Sequence, residues 1–134
     1  MKANSMLKLM FILGAIIDGA IALSWFLIVS GWKIPNILNG YIGRGPDYQL
    51  AMYGGAMFMA GWAVLLAWGA LKPIVRRDLL LITSGFLLLS VIIEFLFFSN
   101  MLGGMVFVFG VTKRLILSLL FTSAYFYSLK HRGS

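Results

Sequence analysis

Four long apolar segments set the strongest limit on what this chain can fold into. They cover about residues 7–30, 50–71, 79–99 and 111–129. A helix needs about 20 apolar residues to cross the hydrocarbon core of a bilayer, and the first three segments reach that length. The fourth is shorter if it is counted after Arg114. The pattern predicts an all-α four-helix transmembrane bundle.

The composition agrees with this prediction. Of the 134 residues, 61% are hydrophobic and 11% are charged, whereas soluble domains have about 25% charged residues. Four spans use most of the chain, so we expect a single domain over residues 1–134. The net charge of +7 does not predict nucleic-acid binding, because the basic residues cluster at the ends of the apolar segments.

Several kinds of catalytic and metal site are excluded. The chain has no cysteine, which rules out disulfides and thiolate chemistry, and its one histidine, His131, lies in the C-terminal tail. The phosphate-binding glycine loop and the zinc-protease and serine-hydrolase motifs are also missing. We therefore expect no catalytic residue, metal or cofactor, although an activity on lipids stays open.

The Lys and Arg residues predict the orientation. Seven fall on one side of the predicted membrane and four on the other: Lys2, Lys8, Lys72, Arg76, Arg77, Lys130 and Arg132 against Lys33, Arg44, Lys113 and Arg114. Because cytoplasmic loops carry more basic residues, both termini are predicted to be cytoplasmic. Dual topology is not expected from this bias.

Two short segments allow more than one interpretation. Lys2 and Lys8 precede an apolar run in which 20–22 is similar to a signal-peptidase site, but the run continues well beyond it and is interpreted as the first span. Residues 105–109 are wholly apolar although they lie between glycines. They could lie on the interface, dip into the membrane, or extend the fourth helix.

Two acidic residues inside the apolar segments are the best clue to function. Asp18 lies about eleven residues into the first segment, and Glu94 lies late in the third. A carboxylate at the centre of a span costs about 2.5–3.5 kcal/mol on insertion scales, so it is kept for a partner, a proton or a ligand. Glu94 and Arg114 lie within about one turn of the same depth. We expect them to pair, with Lys113 as the second candidate, either as a structural lock or as an outer gate.

Polar residues follow one face of the third segment and one face of the fourth. Such faces should turn to each other or to a shared cavity. The residues are Thr83, Ser90 and Glu94 on the third segment, and Arg114, Ser118, Thr122 and Tyr125 on the fourth.

Asp18 allows two interpretations. By depth it is level with Ser90 and close to Thr122, and no basic residue is expected at that level. Because burial disfavours a charged carboxylate, Asp18 could relay protons, bind a cation or hold a basic ligand. Alternatively, it is neutral and joins helices by a hydrogen bond to Ser90 or Thr122.

These residues lead to two hypotheses on function. The first is an intramembrane pocket that binds or moves a small molecule, cation or proton; the second is a non-catalytic accessory or assembly subunit of a membrane complex. Membrane lipid is a partner in both, and a homodimer or a partner membrane subunit is possible. Small residues at four-residue spacing, as in Ala15 and Gly19, favour packing within the chain over dimerisation. The predicted ligand- or proton-binding residues are Asp18, Ser90, Glu94, Arg114, Ser118, Thr122 and Tyr125.

One stretch resembles a known group of proteins. Residues 61–68, the Lys72-Pro73 pair and residues 76–83 are similar to a pattern in small four-span integral membrane proteins of prokaryotes. The resemblance implies a multi-pass protein of the prokaryotic cell membrane and supplies no activity. Small multidrug transporters also have four short spans and an essential acid in the first. The surroundings of Asp18 depart from their pattern, so that similarity is one of architecture alone.

Overall fold

Four α-helices make up the described part of the chain. The computed structural model describes residues 2–32, 45–98 and 104–131, except for the side chains of residues 105 and 106. The helices are α1 (Ala3–Val29), α2 (Pro46–Gly69), α3 (Asp78–Phe97) and α4 (Gly104–Lys130). No strand occurs in these ranges, so the predicted all-α class is confirmed. Three of the basic residues counted above, Lys33, Arg44 and Arg132, lie outside the described residues.

Each of the four helices is long and apolar enough to cross a membrane. The shortest, α3, has 20 residues and is therefore about 30 Å long. Large apolar side chains are exposed on several helices, including Phe58 on α2, Leu96 on α3 and Leu119 on α4. A soluble protein would bury many of these side chains, whereas lipid solvates them. The chain is a multi-pass membrane protein.

The helix boundaries differ from the predicted ones at two places that affect the site. Helix α1 begins at Ala3 rather than near residue 7, and α4 begins at Gly104 rather than near residue 111. Residues 105–109 therefore extend the fourth helix. A helix satisfies the backbone polar groups of an apolar segment internally, which favours this outcome in lipid. Lys113 consequently lies well inside α4 and not at its start.

The helices pack as two hairpins. Helices α1 and α2 contact each other most extensively, α3 packs against α4, and α1 contacts α4. The α2–α3 link, Asn4 and Ser128 lie at one end of the bundle, which we call the terminal end. There the hairpins share a core drawn from all four helices, including Phe11, Leu66 and Phe121. Towards the opposite end lies a second cluster that includes Trp25 and Ala56, and its described members all belong to α1 and α2.

Candidate functional site

The predicted ion pair between Glu94 and Arg114 is confirmed. Arg114 Nη1 donates to Glu94 Oε1 over 2.7 Å, and Nη2 donates to Oε2 over 2.5 Å. Both side chains are buried, with exposed fractions of 5% for Arg114 and 8% for Glu94. This two-bond geometry matches the planar guanidinium to the planar carboxylate and is the strongest form of such a pair. It joins α3 to α4.

Further bonds hold the Arg114 side chain in place. Its Nη1 also donates to Ser90 Oγ over 3.0 Å, and its Nε donates to Gly110 O over 3.2 Å. Ser90 Oγ in turn donates to Leu87 O over 2.8 Å. Arginine has five N–H donors, and four bonds from Arg114 are described here. The pair is therefore fixed in one arrangement, as a lock between two helices would be.

A second polar cluster lies nearer the terminal end. Ser84 Oγ is 2.7 Å from Ser118 Oγ and 2.6 Å from Thr122 Oγ1, and it also donates to Ser118 O over 3.1 Å. The sequence analysis named Ser118 and Thr122 but missed Ser84. The antiparallel register of the two helices was the signal that indicated Ser84. A position about ten residues before Glu94 on α3 is level with a position about ten residues after Arg114 on α4. Ser84 therefore meets the turn that carries Thr122.

Tyr125 belongs to a third group at the terminal end. The Arg77 guanidinium carbon lies 5.9 Å from the centre of the Tyr125 ring, and Arg77 Nη1 donates to Ser128 O over 3.4 Å. The predicted polar strip is thus divided into separate layers along the α3–α4 interface. Thr83 contacts a different helix, since its hydroxyl accepts a hydrogen bond of 3.0 Å from Trp62 Nε1 on α2.

Asp18 does not have the surroundings that its depth predicted. It is half-buried and forms no hydrogen bond with the described part of the chain. The expected bonds to Ser90 or Thr122 are not made, because those hydroxyls bond to Arg114 and Ser84 instead. Helix α1 contacts α4 more than α3, and it begins about one turn earlier than the apolar pattern indicated. Asp18 therefore lies farther from the terminal end than Ser90 does.

Lys113 is the basic residue that acts electrostatically on Asp18. The expectation that no basic residue lies at the depth of Asp18 was wrong. Lys113 acts electrostatically on Asp18, Glu94 and Arg114. Counted at about 1.5 Å per residue from the helix end nearest the terminal end, all four charges lie at roughly 22–26 Å. Two acids and two bases thus form one layer of the bundle. Arg114 and Glu94 are tied to each other, whereas Asp18 forms no ion pair within 4 Å with the described residues.

The chemistry that this layer offers is that of a single carboxylate, Asp18. Within the described residues, no group of three or more His, Asp or Glu side chains could hold a metal ion. A half-buried carboxylate inside a span nevertheless provides an acceptor for a proton, a cation or a basic ligand. Asp18 is the residue of the layer that is available for this chemistry, since Glu94 has both oxygens bonded to Arg114.

Comparison with known proteins adds no family to this geometry. No family model matches the chain, and no curated protein or solved structure shows significant similarity to it. The resemblance of residues 61–83 to small four-span membrane proteins therefore stays a prediction. Function has to be inferred from the residues of this chain alone.

Proposed function

We propose that this protein is a small membrane protein of the cytoplasmic membrane that binds or moves a proton, a cation or a small basic molecule at an intramembrane site. The site consists of Asp18 on α1 and Lys113 on α4. One observation carries the proposal: Asp18 lies in mid-helix, is half-buried, and has no hydrogen-bond partner in the described chain. An acid that is costly to insert and is not used for packing is expected to serve a ligand or a proton.

Lys113 gives the site a means of exchange. Its positive charge attracts the Asp18 carboxylate, and in a poorly hydrated site this attraction is stronger than it is in water. A proton or a cation that arrives at Asp18 takes over the neutralising role of Lys113. Of the other charges in the layer, Glu94 continues to attract the lysine and Arg114 repels it.

The position of the site between the hairpins supports movement. Asp18 belongs to the first hairpin and Lys113 to the second. The core shared by the hairpins lies towards the terminal end, while the described members of the apolar cluster towards the opposite end come from α1 and α2. A small change in how α1 sits on α4 would alter the Asp18–Lys113 distance. The Glu94–Arg114 pair would stay closed within the second hairpin and serve as its lock.

The test is transport by proteoliposomes under an imposed pH gradient, with a panel of amines and metal cations. We expect gradient-dependent flux from the unaltered protein and its loss in Asp18→Asn. Asp18→Asn should fold, because the carboxylate makes no hydrogen bond in the described chain. Asp47→Asn is the matched control, since Asp47 is an exposed acid in the first turn of α2. Equal flux from Asp18→Asn and the unaltered protein would refute the proposal, as would no flux from folded protein.

A second candidate is a non-catalytic accessory or assembly subunit of a membrane complex. It is favoured by the polar groups of the second hairpin that bond within the protein, since Ser84 bonds to both Ser118 and Thr122. Such groups join helices and have no need of a ligand. If no flux is found, purification from native membranes in a mild detergent would test it. A stoichiometric partner subunit, or a homodimer, is the expected result.

A further inference from the structure

A cavity of about 250 Å³ lies at the terminal end of the bundle. It forms where the first two turns of α1 meet the link between α2 and α3, and it is lined by Asn4, Lys8 and residues 70–75. One water takes up about 30 Å³ in the liquid. The cavity therefore has room for a polar group several times larger than a water molecule.

Two lysines from different elements line this cavity. Lys8 comes from α1, where it shares a face with Asn4 four residues earlier, and Lys72 comes from the link. Within the described residues, neither lysine side chain forms a hydrogen bond or an ion pair. Both lysines are exposed and bring positive charge to the same cavity, where an anion is attracted by both. The cavity is thus suited to a negatively charged group.

The other polar groups around the link sharpen this assignment. Arg76 stacks over the Trp68 ring at 3.4 Å and donates to the Trp68 carbonyl oxygen, and Arg77 donates to Ser128. These two cations are held by the protein, so the lysines are the ones left for a ligand. Ile74 and Val75 also line the cavity, and their backbone N–H groups form no hydrogen bond with the described chain. Ammonium groups together with free backbone N–H groups are a common donor set for phosphate oxygens.

We propose that this cavity is a phosphate-binding site, in which Lys8 and Lys72 bind the phosphate and the headgroup of an anionic membrane lipid supplies it. The position supports the lipid: the cavity lies at the ends of α1, α2 and α3, where headgroups meet the protein. Free inorganic phosphate has the same chemistry and is the other possible source. This site lies at the opposite side of the shared core from Asp18, and it does not depend on the function proposed there.

The experiment measures lipid and phosphate binding separately, on the full chain. Native mass spectrometry would give the affinity for phosphatidylglycerol and for phosphatidylcholine in detergent. Calorimetry in phosphatidylcholine nanodiscs would give the affinity for inorganic phosphate. The variants are Lys8→Gln and Lys72→Gln, with Lys130→Gln as the matched control. Lys130 is an exposed lysine in the last turn of α4, at the same end of the bundle and outside the cavity.

We expect phosphatidylglycerol to bind more tightly than phosphatidylcholine, and each cavity variant to lose about fivefold in affinity, the effect of one lysine near anionic headgroups. Lys130→Gln should lose less than twofold, and Lys8→Arg should keep the affinity. If inorganic phosphate binds and both cavity variants abolish its binding, the site is a phosphate site supplied from solution. An equal loss in all three glutamine variants would show diffuse attraction only and would overturn the proposal. No binding of either phosphate source would overturn it as well.

Discussion

Arg114 illustrates how a charged side chain is accommodated inside a membrane helix. The side chain is only 5% exposed, and removing such a charge from water costs several kcal/mol. That cost is offset by the paired carboxylate of Glu94, by Ser90 on the facing helix, and by the carbonyl of Gly110 one turn earlier on its own helix. Each partner is needed because, in a low-dielectric interior, a hydrogen-bond donor without an acceptor is costly.

The pair should therefore show strong coupling in a double-mutant cycle. Arg114→Gln and Glu94→Gln are each expected to lower the free energy of unfolding by about 3–5 kcal/mol, because each leaves a buried charge without its partner. The double variant should recover most of this loss, since it contains neither charge. Unfolding by denaturing detergent in mixed micelles would measure the three variants. Strict additivity of the single effects would contradict a direct pair.

The two hairpins are held together by different means. In the first, α2 presents glycines to large side chains of α1: a Cβ atom at Gly55 would lie 2.5 Å from the Trp25 ring, and Gly69 lies against Phe11. In the second, the hydroxyl group of Ser84 and the Glu94–Arg114 pair join α3 to α4. Lipid competes well for apolar surface, so helices in a membrane associate through close backbone approach or polar bonds. Each hairpin uses one of these.

Adjacent glycines on α2 provide a direct test of the close approach. Gly55→Ala is expected to lower the free energy of unfolding by about 1–3 kcal/mol, because the added methyl overlaps the buried Trp25 ring. Gly54→Ala should be neutral or stabilising by up to about 1 kcal/mol, since a Cβ there has no atom within 4 Å and alanine favours the helix. Detergent unfolding and helix content would compare them. Equal effects at the two positions would argue against the α1–α2 contact.

At the scale of the whole molecule, the described residues show two concentrations of charge. One is the intramembrane layer of Asp18, Glu94, Lys113 and Arg114, which contains two charges of each sign. The other is the terminal end, where Lys8, Lys72, Arg76 and Arg77 have Asp78 as the one acid of the neighbouring helix turn. An excess of positive charge at one end is the feature that orients a membrane protein. Lys113 and Arg114 lie inside α4 and not in a loop. The difference in basic residues between the two ends is therefore larger than the sequence count indicated.

The orientation can be tested with single cysteines, because the chain has none of its own. We expect Gln49→Cys, near the start of α2, to react with a membrane-impermeant maleimide in intact cells. Ser5→Cys, at the terminal end, should react only after the membrane is opened. Both positions are exposed on the protein, so reactivity reports the side of the membrane. Labelling of both in intact cells would indicate dual topology.

The sequence by itself determined the four helices and the Glu94–Arg114 pair. Lipid forces a long apolar segment into a helix, and a helix rises uniformly, so depth along two antiparallel spans can be counted from the sequence. The apolar boundaries were less certain, since apolar residues also extend beyond the hydrocarbon core. Counting from them placed Lys113 at the start of a span when it lies inside α4.

Only the tertiary structure decided which helix each face meets. Asp18 acts with Lys113 because α1 packs on α4, and Ser84 joins Ser118 and Thr122 because of the rotation of α3. The cavity at Lys8 and Lys72 likewise depends on the path of the α2–α3 link past α1. In each case the depth of a residue could be counted along its own helix. The neighbours of that residue and the rotation of its helix depend on side-chain packing between helices. That packing is a property of the assembled bundle, because it depends on many small contacts that no single segment contains.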